Sequence, residues 1–158
     1  MIGLKTSVLL AASLKIGAIL GGTSAGNADK LYEFGKALGI AFQLQDDYLD
    51  AFGESEKIGK QNGGDILANK KTFLYLNAME HLTMPERVKL LSIQWMKGEE
   101  KIDKTIAMFR AAGADIACRK AVEDYSQKAF NALEDLACTS KRKAPLRALA
   151  EMLLNRQF

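Results

Sequence analysis

Residues 27–52 constrain the fold most, because apolar side chains recur there with helical spacing around a compact acidic cluster. At about 100° per residue, one stripe of a helix would hold Leu31, Phe34, Leu38, Ala41, Phe42, Leu49 and Phe52. Another side would hold Gln43, Asp46, Asp47 and Asp50. We therefore predict an amphipathic helix that packs on a core through its apolar stripe and presents a face of carboxylates and one amide.

The rest of the sequence also favours helices. Its 158 residues include only two prolines and almost none of the alternating β-branched runs that indicate strands. Further helices are predicted at about residues 6–20, 71–81, 83–97, 99–112, 114–137 and 145–155. The first of these is apolar nearly all round, which is typical of a helix buried inside a bundle. We predict an all-α helical bundle that forms a single domain over residues 1–158.

Local signals mark the helix ends and two unusual positions. The predicted ends lie at Gly21 and Gly22, Asn27, the capping box of Thr83 and Glu86, and Pro145 after a basic turn at residues 141–143. His81 stands near a helix end, where a structural or capping role is expected. Gly39 lies on the acidic face, where either a ligand approaches the backbone or two helices pack closely; both interpretations stay open.

The acidic cluster at Asp46, Asp47 and Asp50 suggests a metal site. Like charges four residues apart destabilise a helix by roughly 0.2–0.5 kcal/mol per pair, and aspartate is a poor residue for a helix interior. A bound cation would offset both costs. Oxygen ligands favour Mg²⁺ over zinc or copper. The alternative, an acidic face that is merely solvated, stays open on these residues alone.

A glycine-rich loop with lysines follows, at residues 53–69. Lys57, Lys60, Lys70 and Lys71 bring flexible ammonium groups close in sequence to the carboxylates. Lysine binds phosphate as a compact point charge. Acids on the helix and lysines after it would therefore suit a Mg²⁺–diphosphate ligand, although a solvated lysine loop would have a similar composition.

Charge and cysteine content exclude several classes of protein. A net charge of +3 is too small to indicate nucleic-acid binding. Cys118 and Cys138 would lie too far apart on one helix to form a disulfide, so a reducing cytosol is the expected location. The most apolar run, residues 8–20, is interrupted by Lys15 and is too short to span a bilayer, so we predict no transmembrane segment.

Five short motifs follow one another along the first half of the chain. They are Lys5-Thr6-Ser7, residues 39–50, Gly59-Lys60, Gly63-Gly64-Asp65-Ile66 and Asn69-Lys70-Lys71-Thr72. In this order they resemble the C-terminal half of the trans-isoprenyl diphosphate synthases, the polyprenyl synthetase family of farnesyl, geranylgeranyl and longer-chain diphosphate synthases. The resemblance implies the C-terminal part of the isoprenoid synthase fold. It also implies a Mg²⁺-dependent prenyltransferase, cytoplasmic and self-associating as a homodimer or larger assembly, that condenses isopentenyl diphosphate with an allylic diphosphate.

The same resemblance implies a role for each matching residue. Asp46, Asp47 and Asp50 match the second aspartate-rich motif, in which Asp46 would bind Mg²⁺ directly and the others would support it mostly through water. The implied catalytic residues are Lys5, Thr6, Asp46 and Lys60. The residues implied to bind the substrate diphosphate are Lys5, Thr6, Gln43, Lys60 and Lys70. Asp65 would orient the lysine loop or a metal-bound water.

The match to the family also has a gap. Family members carry a first D-D-x-x-D motif, with arginines that bind isopentenyl diphosphate, ahead of their Lys-Thr pair, and this sequence contains no second acidic cluster of that kind. The leading hypothesis is therefore a C-terminal fragment that is inactive alone. One alternative is a non-catalytic helical subunit or interaction protein that pairs with a chain supplying the missing motif. Another is a class I terpene cyclase or squalene-type synthase, against which the Lys-Thr pair and the lysine loop weigh.

Overall fold

Eight helices make up the described part of the chain, residues 6–53 and 63–155 of the computed structural model. They are α1 (Val8–Leu20), α2 (Ala25–Phe52), α3 (Gly64–Leu67), α4 (Phe73–His81), α5 (Met84–Ile93), α6 (Gly98–Ala111), α7 (Ala114–Glu134) and α8 (Ser140–Leu154). No strand occurs among these residues, so the all-α prediction is confirmed. None of the described helices is both long and apolar enough to cross a membrane.

Two predicted helix ends are confirmed by their capping geometry. Helix α1 ends at Gly21, whose N–H donates to the carbonyl of Gly17, and Gly22 follows with φ 74°. Helix α5 begins with the predicted capping box, in which the Thr83 N–H donates to the Glu86 carboxylate over 2.9 Å. These ends depend only on neighbouring residues, which is why local patterns located them.

Two other helix starts differ from the prediction. Helix α2 begins at Ala25, because the hydroxyl of Ser24 accepts a hydrogen bond from the N–H of Asn27, the predicted cap. Helix α8 begins at Ser140 and carries Pro145 in its interior, so residues 141–143 are helical rather than a turn. The buried Lys143 holds this first turn in place by donating to the backbone carbonyl of Glu134.

The chain divides into two compact units, and the first comprises residues 6–43 and 121–155 of the described part. Its core is apolar and consists of Phe34, Ala37, Leu38, Ala129, Leu133, Leu136 and Ala150. Helices α1 and α2 approach each other closely within it. A Cβ added to Gly39 would lie 2.6 Å from the Cα of Ser7, and one added to Gly35 would lie 2.9 Å from the Cα of Ala11. Of the two interpretations of Gly39, close helix packing is therefore the one this unit bears out.

Helix α1 is far more exposed than its apolar sequence predicted. Ala11 is its one buried residue, whereas Leu9, Ile16, Ile19 and Leu20 are each more than half exposed. The expectation that α1 lies inside the bundle is wrong for this chain. The reason is that α1 meets α2 only along the side that carries Ala11 and the half-buried Leu10 and Leu14, so its other apolar side chains stay outside.

The second unit comprises residues 44–53 and 63–120 of the described part. Helix α6 lies at its centre and contacts α3, α4 and α5. The buried Lys101 of α6 donates to the carbonyls of Leu67, 3.2 Å away, and Gln94, 3.1 Å away, so one ammonium joins the ends of α3 and α5. The division into units does not test the prediction of one domain over residues 1–158, which stays a prediction.

Candidate functional site

The three clustered aspartates of α2 lie at different depths in the second unit. Asp46 is exposed, Asp50 is half-buried, and Asp47 is only 2% exposed. The sequence predicted one acidic face opposite a core stripe through Leu49 and Phe52. The buried side instead includes Leu44, Tyr48 and Ala51, whereas Phe42, Leu49 and Phe52 are half-buried. The core side of this part of α2 is thus rotated toward Asp47.

Lys70 is the cation that accompanies the buried carboxylate. Its Nζ lies 3.2 Å from Oδ1 of Asp47 and 2.6 Å from Oδ2 of Asp65. The backbone sets this position, because the N–H of Lys70 donates to the carbonyl of Asp65 and Asn69 takes a left-handed turn at φ 53°. Burial acts to lower the pKa of Lys70, but the hydrogen bonds and charges of Asp65 and Asp47 outweigh it and raise the pKa overall. The lysine therefore stays charged at neutral pH.

Asp50 fixes the start of α3. Its Oδ2 accepts a hydrogen bond of 2.9 Å from the N–H of Asp65, and its carbonyl accepts one of 2.7 Å from Gly63. Burial raises the pKa of Asp50, while the Asp65 N–H and the charge of Lys70 oppose that shift. Asp50 thus holds the short segment that carries Asp65, and Asp65 in turn holds Lys70.

A small pocket of about 20 Å³ lies beneath this charged cluster. The polar residues lining it include Asp47, Asp50, Lys70, Thr72, Tyr75, Gln94, Lys101 and Thr105. Gln94 donates from its Nε2 to the Tyr75 hydroxyl over 2.6 Å. A space of this size holds about one water molecule, so it can hydrate the underside of the cluster but cannot accept a diphosphate.

Two further predicted residues meet in the first unit. The hydroxyl of Thr6 donates to Oε1 of Gln43 over 3.2 Å. The other predicted site residues, Lys5 and Lys60, lie outside the described residues. The roles of all these residues in binding stay predictions.

One buried cation of the second unit, Lys101, was not predicted from the sequence. Lys101 carries no motif and was not singled out. A signal was present nonetheless, because Thr105 and Met108, at helical spacing from it, are also buried. A lysine on the buried side of a helix is expected to donate hydrogen bonds to backbone carbonyls, and Lys101 donates to two.

The donor set can be tested for its fit to the predicted Mg²⁺. Among residues 6–53 and 63–155, no three His, Cys, Asp or Glu side chains are grouped so as to enclose a metal ion. Mg²⁺ does not require such a cage, because it usually takes one or two carboxylates together with waters and substrate phosphates. The exposed Asp46 fits that arrangement, whereas Asp47 and Asp50 are engaged by Lys70 and Asp65.

Known proteins resemble the chain over nearly its whole length. The family model described as polyprenyl synthetase matches residues 1–111. A protein named short chain isoprenyl diphosphate synthase, from Methanothermobacter thermautotrophicus, is 35% identical over 157 residues, which are 99% of this chain and 48% of that protein. The chain thus spans about half the length of the curated relatives it matches.

Solved structures match the fold as well. The crystal structure of a geranylgeranyl pyrophosphate synthetase from Pyrococcus horikoshii superposes with a TM-score of 0.90 and 31% identity, over 99% of this chain and 48% of that one. Another geranylgeranyl pyrophosphate synthase gives a TM-score of 0.84 at 38% identity, over 99% and 50%. The predicted fold class is confirmed.

Proposed function

Because the chain belongs to the polyprenyl synthetase family, we propose that it serves the Mg²⁺-dependent condensation of isopentenyl diphosphate with an allylic diphosphate. The product is a longer isoprenyl diphosphate. The observation that carries the proposal is the position of Lys70, held charged between Asp47 and Asp65 close to the half-buried Asp50. Such a cluster supplies both a fixed cation and carboxylates, the two kinds of group that a Mg²⁺–diphosphate ligand needs.

Each residue of the cluster then has a separate task. Asp46 would be the direct carboxylate ligand of the metal, and Asp47 and Asp50 would support it mostly through water. Bound Mg²⁺ neutralises charge on the departing diphosphate. Lys70 offers a second positive charge to the same group, and its two carboxylate neighbours keep it protonated and oriented. Thr6 and Gln43, with Lys5 and Lys60, complete the proposed diphosphate contacts.

The chemistry that these groups serve is a transfer of a prenyl group. The bond between the allylic carbon and the diphosphate oxygen breaks, and the electron pair leaves with the diphosphate. The double bond of isopentenyl diphosphate attacks the resulting carbocation and forms a carbon–carbon bond, and loss of a proton restores a double bond. Fixed charges are effective here because they stabilise the charge that develops on the leaving group.

Binding of a diphosphate provides the first test. Geranyl diphosphate is titrated calorimetrically with and without Mg²⁺ into the chain, its Asp46→Asn variant and an Asp124→Asn control, whose carboxylate is exposed on α7. We expect Asp46→Asn to weaken Mg²⁺-dependent binding by roughly tenfold or more, the scale for a contact to a charged group. Asp124→Asn should leave it unchanged. Equal effects of the two variants would mean that the acidic cluster is only a solvated face.

We also propose that this chain does not turn over by itself, since its sequence holds one aspartate-rich cluster. The measurement is formation of a longer prenyl diphosphate from isopentenyl diphosphate, geranyl diphosphate and Mg²⁺. Turnover by the chain alone would contradict this part of the proposal. A cyclised product would favour a terpene cyclase instead.

The exposed side of α1 supports a second candidate, a non-catalytic helical subunit in the cytoplasm that pairs with another chain. Leu9, Ile16 and Leu20 leave an apolar surface of the kind that marks protein interfaces. The same surface suits a homodimer or larger self-association. Sedimentation velocity should show concentration-dependent association that Ile16→Ser weakens. Ile116→Ser, which alters an equally exposed isoleucine of α7, should not weaken it.

A further inference from the structure

Helix α5 is apolar on two separate sides. Its inner side buries Leu90 and Ile93 in the second unit. A second set, Met84, Val88, Leu91 and Trp95, is exposed to 68%, 61%, 44% and 90%. Spacings of four and three residues place Met84, Val88 and Leu91 on one side of α5, and Trp95 lies in the turn that follows Ile93. We call these four residues the outer stripe of α5.

The outer stripe is large enough to be a functional patch. Single exposed apolar residues are normal, but four side chains in a row present on the order of 500 Å², which is within the size range of functional patches on monomers. Helix α5 is held by its inner side against α6, so the stripe has a fixed orientation in the second unit. A partner would therefore meet a preformed row of side chains ending in an indole.

The charges beside the stripe indicate what kind of partner fits. Lys89 and Lys97 are both exposed on or just after α5. The carboxylate of Glu86 is occupied by the capping box with Thr83. The acidic pair that opens α6 is partly offset, because Glu100 pairs with Lys104 over 2.7 Å. Two lysines whose side chains reach solvent therefore accompany the stripe, one on α5 and one just after it.

We infer that the outer stripe docks on an anionic lipid surface. An apolar helix side combined with exposed lysines on other sides is the pattern of helices that lie in a membrane interface, and the indole of Trp95 is well suited to the boundary between lipid and water. Pairing with a second copy fits less well. Helix α5 has 10 residues, whereas a coiled-coil seam needs about three heptads or more. The stripe is also smaller than the roughly 800 Å² per partner of a standard interface.

The chain carries its own probe, because Trp95 is its one tryptophan among 158 residues. Its fluorescence is recorded during titration with vesicles of phosphatidylcholine alone and of phosphatidylcholine mixed with phosphatidylglycerol. We expect the emission to move to shorter wavelength with the mixed vesicles. Changing Lys89→Gln or Lys97→Gln should weaken partition roughly fivefold for each charge removed. This inference does not depend on the proposed prenyl transfer, and the diphosphate titration can fail or succeed independently of it.

Matched variants locate the binding surface. Met84→Ser combined with Val88→Ser should abolish the vesicle-induced shift of Trp95, whereas Ile116→Ser removes an apolar side chain of similar exposure from α7 and should preserve it. Circular dichroism checks that the variants stay folded. A shift that appears without vesicles and grows with protein concentration would identify a second copy as the occupant and overturn the inference. Vesicle binding without any change in Trp95 would overturn it too, since another surface would then be responsible.

Discussion

The two compact units bury different kinds of side chain along one and the same helix. In the first unit α2 contributes Phe34, Leu38 and Ala41 to an apolar core, and its glycines let α1 come close. In the second unit α2 buries Asp47 together with Leu44. The first arrangement is stabilised by packing that depends on size, and the second by a charge that depends on Lys70. One helix can thus be stabilised by apolar packing in one part and by a buried ion pair in another.

The largest expected difference between the two units is in the reactivity of their cysteines, because each unit contains one. Cys138 is exposed in the first unit, whereas Cys118 is buried in the second, where its Sγ donates to the carbonyl of Leu44. Burial, with a smaller contribution from the charge of Asp47, raises the pKa of Cys118 from 9.0 to about 12. Its thiolate fraction at neutral pH should fall by about three orders of magnitude. In the native protein a thiol reagent should label Cys138 quickly and Cys118 only when the protein unfolds. Mass spectrometry measures the labelling of each cysteine.

Equal labelling rates for Cys118 and Cys138 would show that the second unit opens freely. The predicted difference in thiol protection between the units would then be wrong. A slow second phase that follows the unfolding equilibrium in urea would sharpen it, because Cys118 would then report the stability of its unit.

Removing the charge of Lys70 should destabilise the second unit. Lys70→Met leaves the carboxylate of Asp47 buried without this ammonium, and breaking a fully buried pair costs about 3–5 kcal/mol. Lys70 is 30% exposed, so we expect roughly 2–3 kcal/mol. The control is Lys104→Met, which removes an exposed pair with Glu100 and should cost at most about 0.5 kcal/mol. Urea denaturation measures the free energy of unfolding of both variants. Similar decreases would mean that the buried charge pair contributes no more than a surface pair.

Filling the glycine seam should destabilise the first unit. In Gly39→Ala the new Cβ would meet the backbone of Ser7, and overpacking of this kind costs roughly 1–3 kcal/mol. Gly17 on α1 has nothing within 4 Å of its added Cβ, so Gly17→Ala should stabilise the helix by up to about 1 kcal/mol. Thermal denaturation of Gly39→Ala, Gly17→Ala and the parent measures the change in stability that each substitution causes. A stabilising effect of Gly39→Ala would show that the seam is looser than its distances indicate.

The smallest expected effect is the pH dependence of the α5 capping box. Hydrogen bonds from Thr83 lower the pKa of Glu86 below its ordinary value of 4.5. A lowered pKa in the folded state stabilises the fold above the ordinary value, and this contribution is lost as the pH falls through the folded-state pKa. Glu86→Gln should therefore be less stable than the parent at pH 7, and the difference should shrink as the pH falls below 4.5. A difference that persists unchanged at pH 3 would assign the loss to packing instead of charge.

Local structure was predictable from the sequence wherever neighbouring residues decide it. The α5 capping box and the end of α1 at Gly21 are set by residues within one turn. His81 likewise bonds the carbonyl of Asn77 one turn earlier in α4, in keeping with its predicted capping role. Such signals do not depend on the rest of the fold, so the number and order of the main helices followed from them.

Burial was less predictable, because it depends on partners distant in sequence. The core side of α2 is rotated toward Asp47 because Lys70, about 20 residues later, pairs with that buried carboxylate and is itself held by Asp65. The exposure of α1 and the buried position of Lys101 have the same origin. The motif residues of the candidate site could be named from the sequence, but the way in which Asp50, Asp65 and Lys70 hold one another could not.

The small pocket beside Asp47 and Lys70 should make the charged cluster respond to hydrostatic pressure differently from the glycine seam. Unfolding volume scales with the internal void that unfolding eliminates. The glycine seam between α1 and α2 leaves almost no such space, whereas the pocket beside the charged cluster provides about 20 Å³ next to polar groups that readily accept water. Compression should therefore hydrate the charged cluster first and loosen the hold on Lys70 while the α1–α2 seam stays closed.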